Sequence, residues 1–147
     1  MITAKDIAGT WRLVGRGASE SHRAELLERY GEQSEGLVIL SPDGWLCAAV
    51  CRGDRARLPG DPAWHADAPE ADRLAAFDSY LSYAGRWRIE DNRLITKVEF
   101  ALNPSWVGSE EIRDVELLAD GTMRLVVTRV WPSGEEVRVW VDWRRAD

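Results

Sequence analysis

The strongest constraint on this chain is a run of alternating apolar and polar residues, broken by tight-turn signals, that fills most of its second half. A side-chain period of two belongs to half-buried strands, whose successive side chains point to opposite faces. Residues 80–90 are such a strand, reversed at Asp91-Asn92 into residues 93–102. Residues 110–118 follow, turned by Ala119-Asp120-Gly121 into residues 122–131, and Pro132-Ser133-Gly134 leads into residues 135–144. Upstream, residues 9–16 form a first strand. Residues 37–40 and 45–52 pair about Ser41-Pro42-Asp43-Gly44, where Pro and Asp-Gly supply the dihedrals of a reversal. Eight strands are therefore expected, most of them joined closely enough for antiparallel hairpins.

Sequential antiparallel strands favour an up-and-down barrel, because closure removes the exposed edges of an open sheet. A two-sheet sandwich would need Greek-key crossings longer than the last five strands offer. Two segments interrupt the strands. Residues 21–30 place Ala24, Leu26, Leu27 and Tyr30 at helical spacing, ended by Gly31. Asp67-Ala68-Pro69-Glu70 has the order of a helix start, with Asp67 as cap, and the helix continues through Leu74, Ala75, Phe77 and Asp78. Between strand and helix, residues 53–66 form a loop long enough to serve as a lid or binding loop. The fold expected is thus all-β, an eight-stranded antiparallel barrel with one or two short helices. With 147 residues, 45% of them hydrophobic, it is expected to be one domain over residues 1–147.

The formal net charge of −6 argues against a general nucleic-acid or membrane-surface binder. No stretch approaches the roughly 18 apolar residues of a membrane-spanning helix. Met1 to Lys5 lack the basic-then-apolar order of a secretory signal, so a cytoplasmic protein is expected. Cys47 and Cys51 on one strand would stand roughly 13 Å apart, too far for a disulfide, and read as two small half-buried hydrophobes. His22 and His65 are remote from each other and from the cysteines, so no metal site is expected. No phosphate-binding glycine loop and no nucleophile elbow occur, which disfavours nucleotide cofactors and acyl-enzyme chemistry. No cofactor is expected, and the oligomeric state is left open.

Several short motifs carry a resemblance. Gly9-Thr10-Trp11 on the first strand resembles the Gly-x-Trp motif of lipocalins, and Trp143-Arg144-Arg145 resembles the late Arg that packs over that Trp. The series Tyr83-Ala84-Gly85-Arg86-Trp87, Val98-Glu99, Asn103-Pro104-Ser105-Trp106-Val107-Gly108-Ser109-Glu110 and Arg113 is similar to the lipocalin-like domain family of bacterial and fungal small-molecule pathway proteins. The likeness spans residues 7–145 and implies a lipocalin-like barrel around a hydrophobic small molecule. Histidines often stand before the Val-Glu pair in that family. Here Thr96 and Lys97 take those positions, which removes any chemistry that would rely on them.

Alternation then sorts the candidate site residues. Leu81, Tyr83, Gly85, Trp87 and Ile89 share one face, as do Leu94, Thr96, Val98, Phe100 and Leu102. If Val115 and Leu117 face the core, Glu111 and Arg113 must also point inward, about 6.7 Å apart along the strand. A buried ion needs a partner, so Arg113 would meet Glu111, a hydroxyl or a ligand oxyanion. Arg113, Glu111 and Tyr83 are the candidate catalytic residues: Arg113 to stabilise negative charge, Glu111 or Tyr83 to move a proton. Trp87, Thr96, Phe100, Trp106 and His65 are the candidate ligand-binding residues. The resulting expectation is a cofactor-independent cyclase, isomerase or lyase of a biosynthetic pathway, with a non-catalytic carrier as the alternative. A partner-binding module built on residues 53–66 is a third reading.

Overall fold

The computed structural model describes residues 1–19, 22–24, 27, 31–130 and 133–146. Eight antiparallel strands close into a barrel in sequential order, each paired with its neighbour and the last with the first. They are β1 (Gly9–Ala18), β2 (Ser34–Leu40), β3 (Trp45–Arg52), β4 (Tyr80–Glu90), β5 (Arg93–Ala101), β6 (Glu110–Leu117), β7 (Met123–Val130) and β8 (Glu136–Arg145). Helix α1 (Ala4–Ile7) precedes β1, and helix α2 (Glu70–Asp78) lies between β3 and β4. No helix among the described residues is long and apolar enough to cross a membrane.

Local chemistry sets the hairpins at the closed end. At Ser41–Gly44 the glycine sits at φ 95°, and the Ser41 hydroxyl accepts from the Trp45 amide at 3.0 Å while donating to Asp43. Asp91 and Asn92 both lie at positive φ, 50° and 59°, the twist-matched reversal that suits a two-residue hairpin. The closed end is plugged by apolar side chains. Ile7, Trp11, Leu40, Leu46, Leu94 and Met123 are almost wholly buried there, with Trp87 and Trp143 beside them. Trp11 donates its indole N–H to the Ile7 carbonyl at 2.8 Å, and the Arg145 guanidinium stacks over its ring at 4.2 Å. The early-Trp, late-Arg resemblance is therefore realised by Arg145. Arg144 instead reaches Asp120 at 3.3 Å.

Two bulges decide which residues face inward in the open half. The β1–β8 register shifts between Leu13 and Gly15, leaving Val14 as the extra residue. Beyond that point Arg16 pairs with Val141, on the inner face, and Gly17 pairs with Trp140, on the outer one. The β4–β5 register shifts between Ala84 and Gly85, which pair with Phe100 and Val98, so Glu99 is extra. A slip of one residue exchanges the faces of a strand. Phe100 therefore points outward and is 70% exposed, contrary to the expectation from strict alternation, and Ala101 takes the inner position opposite Tyr83.

Other departures are local. Helix α2 begins at Glu70 with Pro69, not Asp67, at the cap position, and no side chain caps it. Asp67 closes a single 3-10 turn over His65–Asp67. Cys47 and Cys51 are free, and Cys47 is exposed rather than half-buried because its face of β3 is the outer one. Leu117, near the closed rim, is 41% exposed. Strands β1 and β2 are longer than expected, reaching Ala18 and starting at Ser34. The helix expected over residues 21–30 falls largely outside the described residues, as does Trp131.

Candidate functional site

The inward face of β6 carries a salt bridge into an otherwise apolar wall. Register places Glu111 opposite Thr96 and Arg113 opposite Leu94, both inner residues of β5. Arg113 Nη2 stands 2.9 Å from Glu111 Oε2, with side chains only 19% and 15% exposed. A second donor of the same guanidinium goes to the Ile112 carbonyl at 3.0 Å. Each charge thus meets the need that burial creates, and part of the planar fork is spent within the protein.

Tyr83 on β4 senses this pair. Burial is the main influence on its phenol and pushes its pKa above the ordinary tyrosine value; the Arg113 charge pulls the other way and Glu111 adds to the rise. Tyr83 is consequently a neutral hydrogen-bonding group throughout the physiological range. Its ring meets Trp106 edge-on, with centroids 5.9 Å apart and planes at 75°. Trp106 belongs to a 3-10 turn, Pro104–Trp106, that connects β5 and β6. That connection is tightly pinned. Asn103 Oδ1 accepts from the Ser105 amide at 3.0 Å, Ser109 Oγ donates to the Trp106 carbonyl at 2.6 Å, and Lys97 Nζ donates to the Gly108 carbonyl at 2.6 Å. The Asn-Pro-Ser-Trp motif therefore serves to fix one indole over the barrel mouth.

Above that indole lies a cavity of about 970 Å³. Its walls come from Arg52 at the end of β3, residues 54–58 after it, one side of α2, the first residues of β4, and Leu102, Asn103 and Trp106. Apolar surface is supplied by Leu58, Ala75, Phe77, Leu81, Leu102 and Trp106. No residue of α2 is buried, and Phe77 is 47% exposed, so the helix presents uncovered apolar surface there. A second cavity, of about 580 Å³, runs along Leu13–Ala18 beside Trp140 and residues 31–35.

The structure separates the sequence-derived site residues. Tyr83, Glu111 and Arg113 are brought together, but none of them lines the mouth cavity; Trp106 is the expected binding residue that does. Trp87 and Thr96 pair across β4 and β5 deep in the barrel, where Trp87 donates to the Ser41 carbonyl at 3.0 Å and Thr96 is fully enclosed. Phe100 is outside the wall. His65 lies on its exposed turn and borders neither cavity. Sequence reasoning missed Arg55, Leu102 and Asn103 on the mouth, although the length of the 53–66 loop marked its neighbourhood. It also missed Arg16, turned inward by the β1 bulge, whose Nε donates to Ser34 Oγ at 3.0 Å. No cluster able to hold a metal occurs among the described residues.

Comparison with known proteins adds three likenesses. A family model described as a lipocalin-like domain matches residues 8–146. The chain is 29% identical over 84 residues to the 4'-hydroxy-3'-methoxypropiophenone carrier protein of Aspergillus oryzae, an overlap of 52% of this chain and 76% of that protein. Two solved structures of bovine odorant binding protein, with a selenium-containing odorant and with its natural ligand, match at a TM-score of 0.47 each. Their identities are 8% and 9%, over 100% and 97% of this chain and 74% and 72% of those chains.

Proposed function

The chain belongs to the lipocalin-like domain family, and from that premise we propose that it binds a hydrophobic aromatic small molecule at the barrel mouth and holds it unaltered. The observation that carries this reading is the mouth cavity, of a volume suited to one drug-sized molecule and walled in part by aromatic and aliphatic side chains. Uncovered Phe77 and fixed Trp106 offer flat apolar surface that a bound ring would remove from water. The relative named as a carrier of a phenolic aromatic ketone fits the same chemistry. A cytoplasmic, monodomain carrier with no nucleic-acid or membrane partner is the form this proposal takes.

A cofactor-independent cyclase, isomerase or lyase is the second reading, favoured by the closeness of Tyr83, Glu111 and Arg113 beneath Trp106. In that case a ligand passing Trp106 would meet a neutral phenol as proton donor and a guanidinium able to stabilise an enolate. Against it stands the closed state of the trio: Arg113 and Glu111 bond to each other, and the cavity stops short of them.

Incubation of the protein with phenolic aryl ketones and with a host metabolite extract, followed by chromatography and mass spectrometry, separates the two. Depletion at one molecule per protein, with intact recovery on denaturation, is the expected result. Loss of a component beyond protein stoichiometry, abolished by Arg113→Met and Glu111→Gln, would overturn the carrier reading in favour of the enzyme.

A further inference from the structure

Three guanidiniums border the mouth cavity, from Arg52 at the end of β3 and from Arg55 and Arg57 on the loop that follows, and they are not equivalent. Arg52 is bidentate to Asp54, at 2.8 Å through both Nε and Nη2, and its charge is met. Arg55 is held only by neutral groups. Its Nε donates to Ser79 Oγ at 3.0 Å, its Nη2 donates to the Ala76 carbonyl at 3.1 Å, and its plane lies over the Tyr80 ring at 5.0 Å. No carboxylate of the described residues comes within 4.0 Å of it. The result is a guanidinium fixed in place, with a free edge and no carboxylate paired to it, on the wall of a chamber lined by apolar and charged side chains alike. Asp72 and Asp78 also line that chamber but pair with no described cation.

We propose that Arg55 is the anion-recognition residue of this cavity, and that the ligand is a flat apolar molecule carrying an ionised oxygen group such as a carboxylate or phenolate. This deepens the binding function proposed above and rests on it. Ordering a guanidinium by a hydroxyl, a carbonyl and a ring costs side-chain entropy before any ligand arrives, which preorganises its fork for a planar oxyanion. The ring of the ligand would then lie against Trp106 and Leu81, with the charged end toward residues 55–57. Arg57, which has no side-chain bond to a described residue, adds to the positive field at that end.

Two dyes with related ring systems test the assignment: anilinonaphthalene sulfonate, which is anionic, and phenylnaphthylamine, which is neutral. Wild-type protein is expected to bind both, with the preference for the anionic dye falling as salt rises. Arg55→Gln should lower anionic-dye affinity roughly three- to tenfold, the range for a solvent-accessible charge contact, and leave the neutral dye within about twofold. Arg55→Lys, which keeps the charge but not the fork, should retain part of the preference. Because Arg55 also holds the last turn of α2, a thermal melt of each variant accompanies the titration. Parallel loss of both dyes in Arg55→Gln, or an unchanged anionic affinity, would overturn the assignment while leaving small-molecule binding intact. Failure of the wild type to bind either dye would overturn the binding function itself.

Discussion

Gly85 offers the sharpest check on the physical account of the barrel wall. It faces inward on β4 at the β5 bulge, opposite Val98. A Cβ added there would lie 1.8 Å from the Lys97 carbonyl oxygen, 2.8 Å from its carbon and 3.2 Å from the Glu99 nitrogen. All three atoms are backbone, so no flexible side chain can yield. Restoring ordinary contact near 3.5 Å requires β4 and β5 to part by roughly 1.7 Å. Overpacking of this kind costs about 1–3 kcal/mol. Weakening two ladder hydrogen bonds beside the bulge adds about 1 kcal/mol each, for a total of about 3–5 kcal/mol in Gly85→Ala. In a chain of this length that is a fall in Tm of roughly 10–15 °C. Gly15→Ala is the control: nothing lies within 4 Å of where its Cβ would stand and its φ is not left-handed, so it should stabilise by about 0.4–1 kcal/mol. Denaturant titration followed by circular dichroism reads both. A Gly85→Ala protein within about 0.5 kcal/mol of wild type would refute the close-approach argument.

Other expectations follow from the same contacts. Arg113→Met leaves the Glu111 carboxylate enclosed without its partner, at a cost of about 2 kcal/mol after discounting for its residual exposure; Arg113→Met with Glu111→Gln should recover most of it, and additive losses in the double-mutant cycle would contradict the pairing. The raised pKa of Tyr83 means the folded state holds the phenol proton more tightly than the unfolded chain. Its contribution is therefore intact below the ordinary tyrosine range, near pH 10, and declines as pH climbs from there through the folded pKa. Tyr83→Phe should flatten that decline and remove one tyrosinate absorbance step; an unchanged alkaline profile would count against the burial of the phenol. Trp143 buries an indole N–H with no partner among the described residues, whereas Trp87 donates to Ser41. Trp143→Phe should accordingly cost about 1–2 kcal/mol less than Trp87→Phe in chemical denaturation, and the reverse order would point to a partner for Trp143.

Most of the barrel is legible in the sequence because its signals are local. Asp91-Asn92 and Ser41-Pro42-Asp43-Gly44 demand particular backbone dihedrals, and β4 alternates cleanly enough to place Tyr83 and Trp87 on one face. The inward salt bridge is legible too, since Val115 fixes the phase of Glu111 and Arg113. The bulges are not. An extra residue such as Val14 or Glu99 has no composition of its own, and the one trace of Glu99 is a glycine on the facing strand, Gly85, whose need is set by a neighbour 12 positions away in Lys97. Strict alternation therefore misplaces Phe100 and hides Arg16. The mouth cavity is illegible for a related reason: Arg55 from a loop, Leu81 from β4 and Trp106 from the β5–β6 connection line it together, and neither period nor motif encodes that juxtaposition.

Helix α2 has a consequence for how occupancy could be read. It buries none of its residues, leaves Leu74 and Phe77 half in water, and is tied down chiefly by Arg55 at its last turn and by Arg73 donating to the Ala68 carbonyl at 3.0 Å. Its opening free energy is therefore expected near the bottom of the range within this molecule, far below that of the barrel amides. A ligand that requires the closed helix raises that energy by RT ln(1 + [L]/Kd) and leaves the barrel amides untouched. Hydrogen–deuterium exchange along Glu70–Asp78 would thus act as a built-in gauge, slowing in proportion to saturation while the sheet stays silent.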